Sequence, residues 1–471
     1  MRLNTAACPN DKCMTYGLPW STHQDHYYQH GKTATGEPRF RCRHCGSTFS
    51  AGLPIRRQRR PELNAEVYKL LINKVPMRRI CEVLDINPAT LYNKLSYLDH
   101  VATDFAEHQE LKLINSENFA KRAYVSVDRQ DHALNWGTQL DRRNIMMGVV
   151  GAVENSSGYA LALQLNFDSG LDARDVEADA LLRDDYGLPP AFRHYARVWL
   201  ERDYQNYTAG QTNADNEETL DLEFKLPHSG MQVHIQYTQA ALFFHLRSLL
   251  RGFEKVRFFL DRDQGMDTGC LSAFVDEVKA RRVDVFVIHG PKELTMTQKK
   301  TMISRANKEF ERYVVDMELS TNSDTRQHYL ISRLEKHKAN AGNRDWFRYP
   351  FDDMAEPEKS ILYLTDFDDY DIDHLARLYR RASLRGIDRF FMQVRRRISI
   401  LERPISTASR GRRTWYGYSA YSPLVVERLL RLYRVYYNYC QVGEDGMTPA
   451  MRLGLVESPV SLLDLANGVK A

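Results

Sequence analysis

No run of about 18 apolar residues occurs in the 471-residue chain, so no transmembrane helix and no membrane partner are expected. The opening "MRLNTAACPNDKC" has no apolar core of the kind a secretory signal needs, so none is expected. Cysteine is scarce: seven occur, at 8, 13, 42, 45, 81, 270 and 440. Four of them fall in the first 45 residues and the rest are scattered, which argues against a disulfide framework. One metal site plus single buried thiols at Cys81, Cys270 and Cys440 fits better, in a reducing cytoplasm.

A strong excess of either charge is also missing, since the net charge is +4. The distribution is uneven, however. Residues 1–60 carry ten Lys or Arg against three Asp or Glu. Residues 385–413 carry nine Arg against Asp388 and Glu402 alone. Basic ends around an acidic middle suit a polyanion binder with an acidic working site.

"CPNDKC" and "RCRHCGSTFS" place Cys8, Cys13, Cys42 and Cys45 in two pairs, enough to close a tetrahedral thiolate site around structural Zn²⁺. Gly46 permits the tight turn of the second pair. The first pair is spaced more loosely, so His23, His26, His30 and His44 stay open as substitutes.

The stretch "RRQRRPELNAEVYKLLINKVPMRRICEVLDINPATLYNKLSYL" reads as three short helices. Asn87 is a good N-cap and Pro88 a good first helical residue after the turn "DINPAT". This is a helix-turn-helix pattern. The start of its last helix would offer Thr90, Tyr92, Asn93 and Lys94 to DNA, beside the basic "RRQRR". The alternative is a plain three-helix bundle.

Further on, "AYVSVDRQDHALNW" is a strand running into Asp128, and "RRNIMMGVVGAVENSSGYALALQLNFD" gives two more around a turn. A helix, the strand "VRFFLD" ending in Asp261, a helix and the strand 283–290 follow. The order β–β–β–α–β–α–β suggests a mixed sheet flanked by helices. An Asp ending a strand is most often a turn or cap residue. Two in matching places point instead to a cation, because clustered carboxylates repel one another. Oxygen ligands suit Mg²⁺ or Mn²⁺, and two such ions can serve phosphodiester displacement. Asp131, Asp263 and Asp267 read as turn residues or outer groups. "DFDDYDID" (366–373) lacks the glycine and terminal glutamate of a calcium loop and reads as a solvated acidic turn.

Taken together, "GEPRFRCRHCGSTFS", the helix-turn-helix, "VSVD", "FFLD" and "YYNYCQVGEDGMTPAMRLGL" (436–455) resemble bacterial insertion-sequence transposases of the DDE/DDD class. The resemblance is strongest over 8–50 and 385–455 and weak through 168–235 and 291–375. It implies a multidomain α+β and α/β chain. Residues 1–55 would be a zinc ribbon and 60–105 a helix-turn-helix. A ribonuclease H-like (integrase-like) core would span 120–400, with insertions near 168–235 and 291–375. A basic, aromatic segment with C-terminal helices would fill 401–471. In that architecture the strands of Asp128 and Asp261 are parallel neighbours, and a third acid comes from a later helix. Asp388 fits, with the basic Arg395 seven residues on and on the same helix face. Glu402 has Ser409 at that offset and Pro404 ending its helix, and is the alternative third acid.

The resemblance further implies double-stranded DNA partners, element ends and target alike, and a homodimer or higher oligomer. It implies a place on the nucleoid of a bacterial cytoplasm. Arg410, Arg412 and Arg413 in "STASRGRRTWYGYSAYSP" would add phosphate contacts. Two rivals stand beside strand transfer: a DNA-binding regulator on an inactive scaffold, and a nuclease of the same fold that cuts without joining.

Overall fold

The computed structural model describes residues 7–468, apart from 11, 17, 19, 21–22, 33–37, 51–59, 116–118, 138–143, 209–226, 292–293, 342–344, 403–404, 407–413 and 416–419. Arg410, Arg412 and Arg413 therefore lie outside the described residues. The chain forms two compact units: residues 1–107 with 460–471, and residues 108–459. Among the described residues no helix is long and apolar enough to cross a membrane.

In the first unit, β1 (Tyr27–Lys32), β2 (Pro38–Cys42) and β3 (Thr48–Ser50) form an antiparallel meander. Its apolar content is slight: Phe40 packs with Trp20 and Phe49, and the buried Tyr27 donates to the carbonyls of Thr15 and Leu18. α1 (Asn64–Leu71), α2 (Met77–Leu84) and α3 (Pro88–Asn115) follow. α2 stops at Asp85, whose left-handed backbone (φ 48°) turns the chain. Asn87 then caps α3 by accepting from the amide of Thr90 at 2.8 Å. α2 and α3 are thus joined by a three-residue turn, residues 85–87.

α3 runs on to Asn115, well past the boundary expected at 105, because apolar residues keep recurring at helical spacing through Leu113. The sequence reading fails at Lys94. This residue is 1% exposed, and its ammonium donates to the Arg60 carbonyl and the Asn64 side chain. It sits on the inner face with Leu91, Leu95 and Leu98, so it anchors the bundle and is not offered to DNA. Asn93 is exposed, and Thr90 and Tyr92 are half-buried.

The second unit is built on seven strands. β4 (Ala120–Leu134), β5 (Ile145–Glu154) and β6 (Tyr159–Leu165) form an antiparallel meander. The chain then leaves the sheet through β7 (Phe167–Asp172), α4 (Ala173–Leu182), α5 (Glu201–Thr208) and β8 (Ser229–Gln232). β7 and β8 pair with each other over a small core of their own, including Val176, Leu200 and Met231. α6 (Ile235–Leu249) leads back to β9 (Phe253–Asp261), which lies parallel to β4. After α7 (Met266–Ala273) and α8 (Val275–Lys279), β10 (Val283–His289) adds in parallel to β9.

The helix pair α9 (Met296–Asp316) and α10 (Ser323–Ala341) comes next, then β11 (Phe347–Arg348) and β12 (Ser360–Tyr363). The sheet order is β11-β12-β10-β9-β4-β5-β6. β9 and β10, paired on both sides and covered on both faces, are the apolar runs expected of central parallel strands. The arrangement is compatible with a ribonuclease H-like fold. One expectation changes. Residues 291–375 were to be an insertion, yet they also supply the last two strands at one side of the sheet, β12 and the edge strand β11. Strands of four and two residues carry too little alternation to be read in sequence.

α11 (Ile372–Arg381) and α10 cover one face through Leu330, Leu334, Leu375 and Tyr379, packed on Phe259 and Phe286. Asp371, inside the acidic "DFDDYDID", caps α11 by accepting from the amide of His374. α12 (Arg385–Arg397) is followed by the short pair β13 (Ile405–Ser406) and β14 (Thr414–Trp415), then by α13 (Pro423–Tyr439) and α14 (Pro449–Leu453).

α13 closes the β6 edge in an unusual way. The buried Asn438 accepts from the Ala160 amide and donates to the Ala160 carbonyl, both at 2.9 Å, as a neighbouring strand would. Arg434 donates to the carbonyls of Ala160 and Leu161 and pairs with the buried Glu110. An open strand edge is a liability, and side chains here satisfy it. The C-terminal helices through α14 thus belong with the large sheet. α15 (Leu462–Ala466) instead packs on α1 in the first unit.

Candidate functional site

The first unit holds a sulfur site. The ligand atoms of Cys8, Cys13, Cys42 and Cys45 all lie within 4.8 Å of one another. Cys8 Sγ is 3.4 Å from Cys45 Sγ, and Cys13 Sγ is 3.8 Å from Cys42 Sγ. A zinc–sulfur bond of about 2.3 Å gives tetrahedral edges of about 3.8 Å, so the set fits a structural metal such as zinc. Gly46, at φ +74°, turns the chain so that its amide reaches the Cys42 carbonyl. Thr15 Oγ1 touches the sulfurs of Cys13 and Cys42 at 3.2 and 3.1 Å and steadies both. Burial pushes the Cys8 thiol up to about 12, while hydrogen bonds from Ser47 draw Cys45 down to about 6. A cation at the centre would favour the thiolate at both. No histidine is needed to complete the four, and His26 and His44 contact one another instead, at 3.1 Å.

The second unit holds an acidic site. The β4–β9 ladder pairs Val127 with Leu260, and the next residues on the two strands are Asp128 and Asp261. Parallel neighbours stand about 4.8 Å apart, so the ladder delivers both carboxylates to one end of the sheet. Asp261 is 6% exposed and Asp128 half-buried.

α12 lies over β4 and β5 at close range. The amide of Ile387 donates to Ser126 Oγ at 3.1 Å, and Asn155 Nδ2 donates to the Ser383 carbonyl at 3.1 Å. Two glycines permit that approach. A Cβ on Gly386 would meet Asn155 Oδ1 at 2.1 Å, and one on Gly151 would meet Ile387 Cδ1 at 2.9 Å. The start of α12 is also held by Glu356, which accepts from the Leu384 amide and the Ser383 hydroxyl and pairs with the buried Lys359.

These contacts bring Asp388 to the same cavity as Asp128 and Asp261, a space of about 950 Å³. Arg395 and Glu402 line it too. Asp388 and Arg395, seven residues apart, therefore do face one place, and both candidates for the third acid are at the cavity. Asp263 accepts from Gln239 Nε2 and pairs with Arg129, as Asp131 also does, which fits the supporting parts expected of them. Asp267 holds the amide of Thr268.

Sequence reading missed Glu356, Lys359, Gly151, Gly386, Gln130 and His132. The glycine pair was findable in principle, since a glycine inside a strand marks close backbone approach. Among the described residues the cysteines are the only group of three or more Cys, His, Asp or Glu gathered within 4.8 Å. The cavity carboxylates are more widely set. Two ions about 3.5–4 Å apart spread their ligands further than one ion does, and carboxylate oxygens are the donors Mg²⁺ or Mn²⁺ prefers.

Compared with models of known protein families and with curated proteins, the chain matches none.

Proposed function

We propose that this chain is a DNA transposase of the DDE/DDD class, acting at the ends of a mobile element. The observation that carries the proposal is the meeting of Asp128, Asp261 and Asp388, from β4, β9 and α12, at one cavity of a sheet ordered β10-β9-β4-β5-β6. The cysteine module and the helix-turn-helix would locate the terminal sequence. Asn93, exposed near the start of α3, is the best placed of the expected base contacts.

Asp128, Asp261 and Asp388 would hold two Mg²⁺ or Mn²⁺ ions, with Glu402 the alternative third ligand. When bound, the ions would supply Lewis-acid stabilisation of the attacking and leaving oxygens. The chain's own residues do the rest. Arg395 and Arg396, at the rim of the acids, would draw in the phosphate backbone and hold it in register. Phe391, Ile400 and Leu401 line the same cavity and would lend it apolar surface. The dense packing of α12 on β4 keeps Asp388 fixed relative to the strand acids. A dimer or larger assembly would bring two ends together.

The test is purified full-length chain with a labelled element end and Mg²⁺. Cleavage followed by joining, both lost in Asp128→Asn, is the expected result. Cleavage without joining would make the chain a nuclease. Binding without cleavage would make it a regulator. Cleavage unaffected by Asp128→Asn would remove the site assignment.

A further inference from the structure

Beside the start of α12 lies a second concavity, of about 240 Å³, with none of Asp128, Asp261 and Asp388 in its lining. It sits where α10, α11 and α12 meet the loop between β11 and β12. Four cations line it: Arg326 of α10, Lys359, Arg380 of α11 and Arg385 at the head of α12. Only two carboxylates do so, Asp353 and Glu356.

Those two acids are already engaged by two of the four cations. Lys359 Nζ lies over the Tyr349 ring and donates to Glu356 Oε2 at 2.9 Å and to the Ala382 carbonyl at 2.8 Å. Arg385 pairs with Asp353 and reaches Glu356 at 3.9 Å. Arg326 and Arg380 are left over. Both are exposed, and among the described residues neither has a carboxylate partner. Arg326 lies instead against the rings of Phe310 and Phe351, at 5.4 and 5.2 Å. Ring contact steadies the flat guanidinium and leaves its N–H edges to bind.

Exposure alone would not make a site, since exposed arginines are ordinarily solvated. Here two from different helices meet over one concavity, which Leu330, Tyr349 and Phe351 also line. Volume and charge narrow the ligand. Sites for drug-sized molecules run to roughly 300–1,000 Å³, so this one takes a small group. Guanidinium N–H pairs suit carboxylate and phosphate oxygens alike. Two uncompensated positive charges match a dianion, and a phosphomonoester is one, whereas a carboxylate or a phosphodiester carries a single charge.

We propose that Arg326 and Arg380 form a binding site for a phosphate dianion, either the free ion or the end of a small phosphomonoester. The site is separate from the acidic cavity and does not depend on the DNA-processing reading. The two spaces share only part of their lining, Glu356 and Lys359.

Titration calorimetry of the full-length chain in Mg²⁺-free buffer at about pH 8 tests it with inorganic phosphate, methyl phosphate and dimethyl phosphate. Without added metal the three aspartates repel anions, so the acidic cavity does not compete. Inorganic phosphate should bind with a Kd of about 1 mM or tighter, and dimethyl phosphate, with one charge, at least about tenfold more weakly. Methyl phosphate bound as well as inorganic phosphate would extend the site to phosphomonoesters, and methyl phosphate left unbound would restrict it to the free ion. Arg326→Gln and Arg380→Gln should each weaken phosphate binding about tenfold or more. Where melting shows that Arg326→Gln suffers from the lost ring contacts, Arg380→Gln carries the test alone. Arg395→Gln, in the acidic cavity, should leave phosphate affinity unchanged. Absent binding, equal binding of dimethyl phosphate, full affinity in folded Arg380→Gln, or affinity lost in Arg395→Gln overturns the proposal.

Discussion

Two regions of this molecule gather side chains that could hold cations, four cysteines in one and three aspartates at one cavity in the other, and they are built in opposite ways. The cysteine module gathers four sulfurs within 4.8 Å but has little apolar interior. The acidic cavity sits on a seven-stranded sheet with a large core, and its carboxylates are more widely set. In the first region the ligands must hold the fold. In the second the fold holds the carboxylates. On the proposed reading, metal removal should therefore act on structure in one place and on chemistry in the other.

The largest expected effect follows directly. A chelator, or Cys42→Ser, should unfold residues 8–50 and leave the sheet of the second unit intact. Structural zinc contributes on the order of 10 kcal/mol in small modules, more than their cores supply. Limited proteolysis of the full chain checks this: cuts confined to the first unit are expected. A module that stays protected without metal would break the comparison.

Next is Asp128→Asn. Its side chain is half-buried just past the last β4–β9 pair, so the fold should tolerate the change within about 1 kcal/mol. Cleavage should fall by at least about 10³-fold, or about 4 kcal/mol on the barrier. Measured melting and rate together separate the two readings of this residue.

His132 tests how far the second region depends on burial. Its folded pKa, about 4, is below the ordinary 6.5 because burial and Arg395 disfavour the charged ring. The unfolded chain then binds the proton first, so this group costs stability as pH falls from about 6.5 to 4 and costs nothing above that window. The full penalty is roughly 3 kcal/mol. Urea unfolding of wild type and His132→Gln across pH 4–7 should show a steeper acid loss in the wild type. Parallel pH profiles would mean that the ring is not sequestered.

Gly386→Ala probes the close contact that sets Asp388. The added methyl would collide with Asn155, which itself holds the Ser383 carbonyl. A loss of about 1–3 kcal/mol is expected, with cleavage reduced more than binding. Unchanged cleavage at reduced stability would show that Asp388 needs no such fixing.

What the sequence revealed tracks these differences. Cysteine spacing is a local signal, and Cys8, Cys13, Cys42 and Cys45 were legible because the site is made by two short segments. Asp261 was legible as a strand end, whereas Asp128 was read as one but lies inside β4, which continues to Leu134 while its pairing with β9 stops at Val127; their adjacency came from the resemblance to a known architecture. The place of Asp388 at the cavity was expected only from the same resemblance, with Arg395 seven residues on as its mark, and Glu402 lines the cavity too. Glu356, Gln130 and His132 were not legible, because burial and pairing arise only when distant strands and helices meet. Lys94 was misread for the same reason: beside exposed Asn93 it looks like a surface base, yet the helix phase turns it inward to Asn64 and the Arg60 carbonyl.

That pair of neighbours gives the smallest and sharpest effect. Within the first unit, the helical half should stand on packing and hydrogen bonds, not on metal. Lys94→Met removes the donor to Asn64 and to the Arg60 carbonyl, leaving buried acceptors unpaired, for a cost of about 1–3 kcal/mol. Asn93→Ala, one residue earlier and exposed, should change stability by no more than about 0.5 kcal/mol. Thermal unfolding with metal bound measures both. If Asn93→Ala instead weakens binding to an element end while melting is unchanged, the exposed start of α3 is a reading surface. If Lys94→Met is as mild as Asn93→Ala, packing around Lys94 does not sustain the helices, and the contrast between metal-held and core-held regions fails inside this unit.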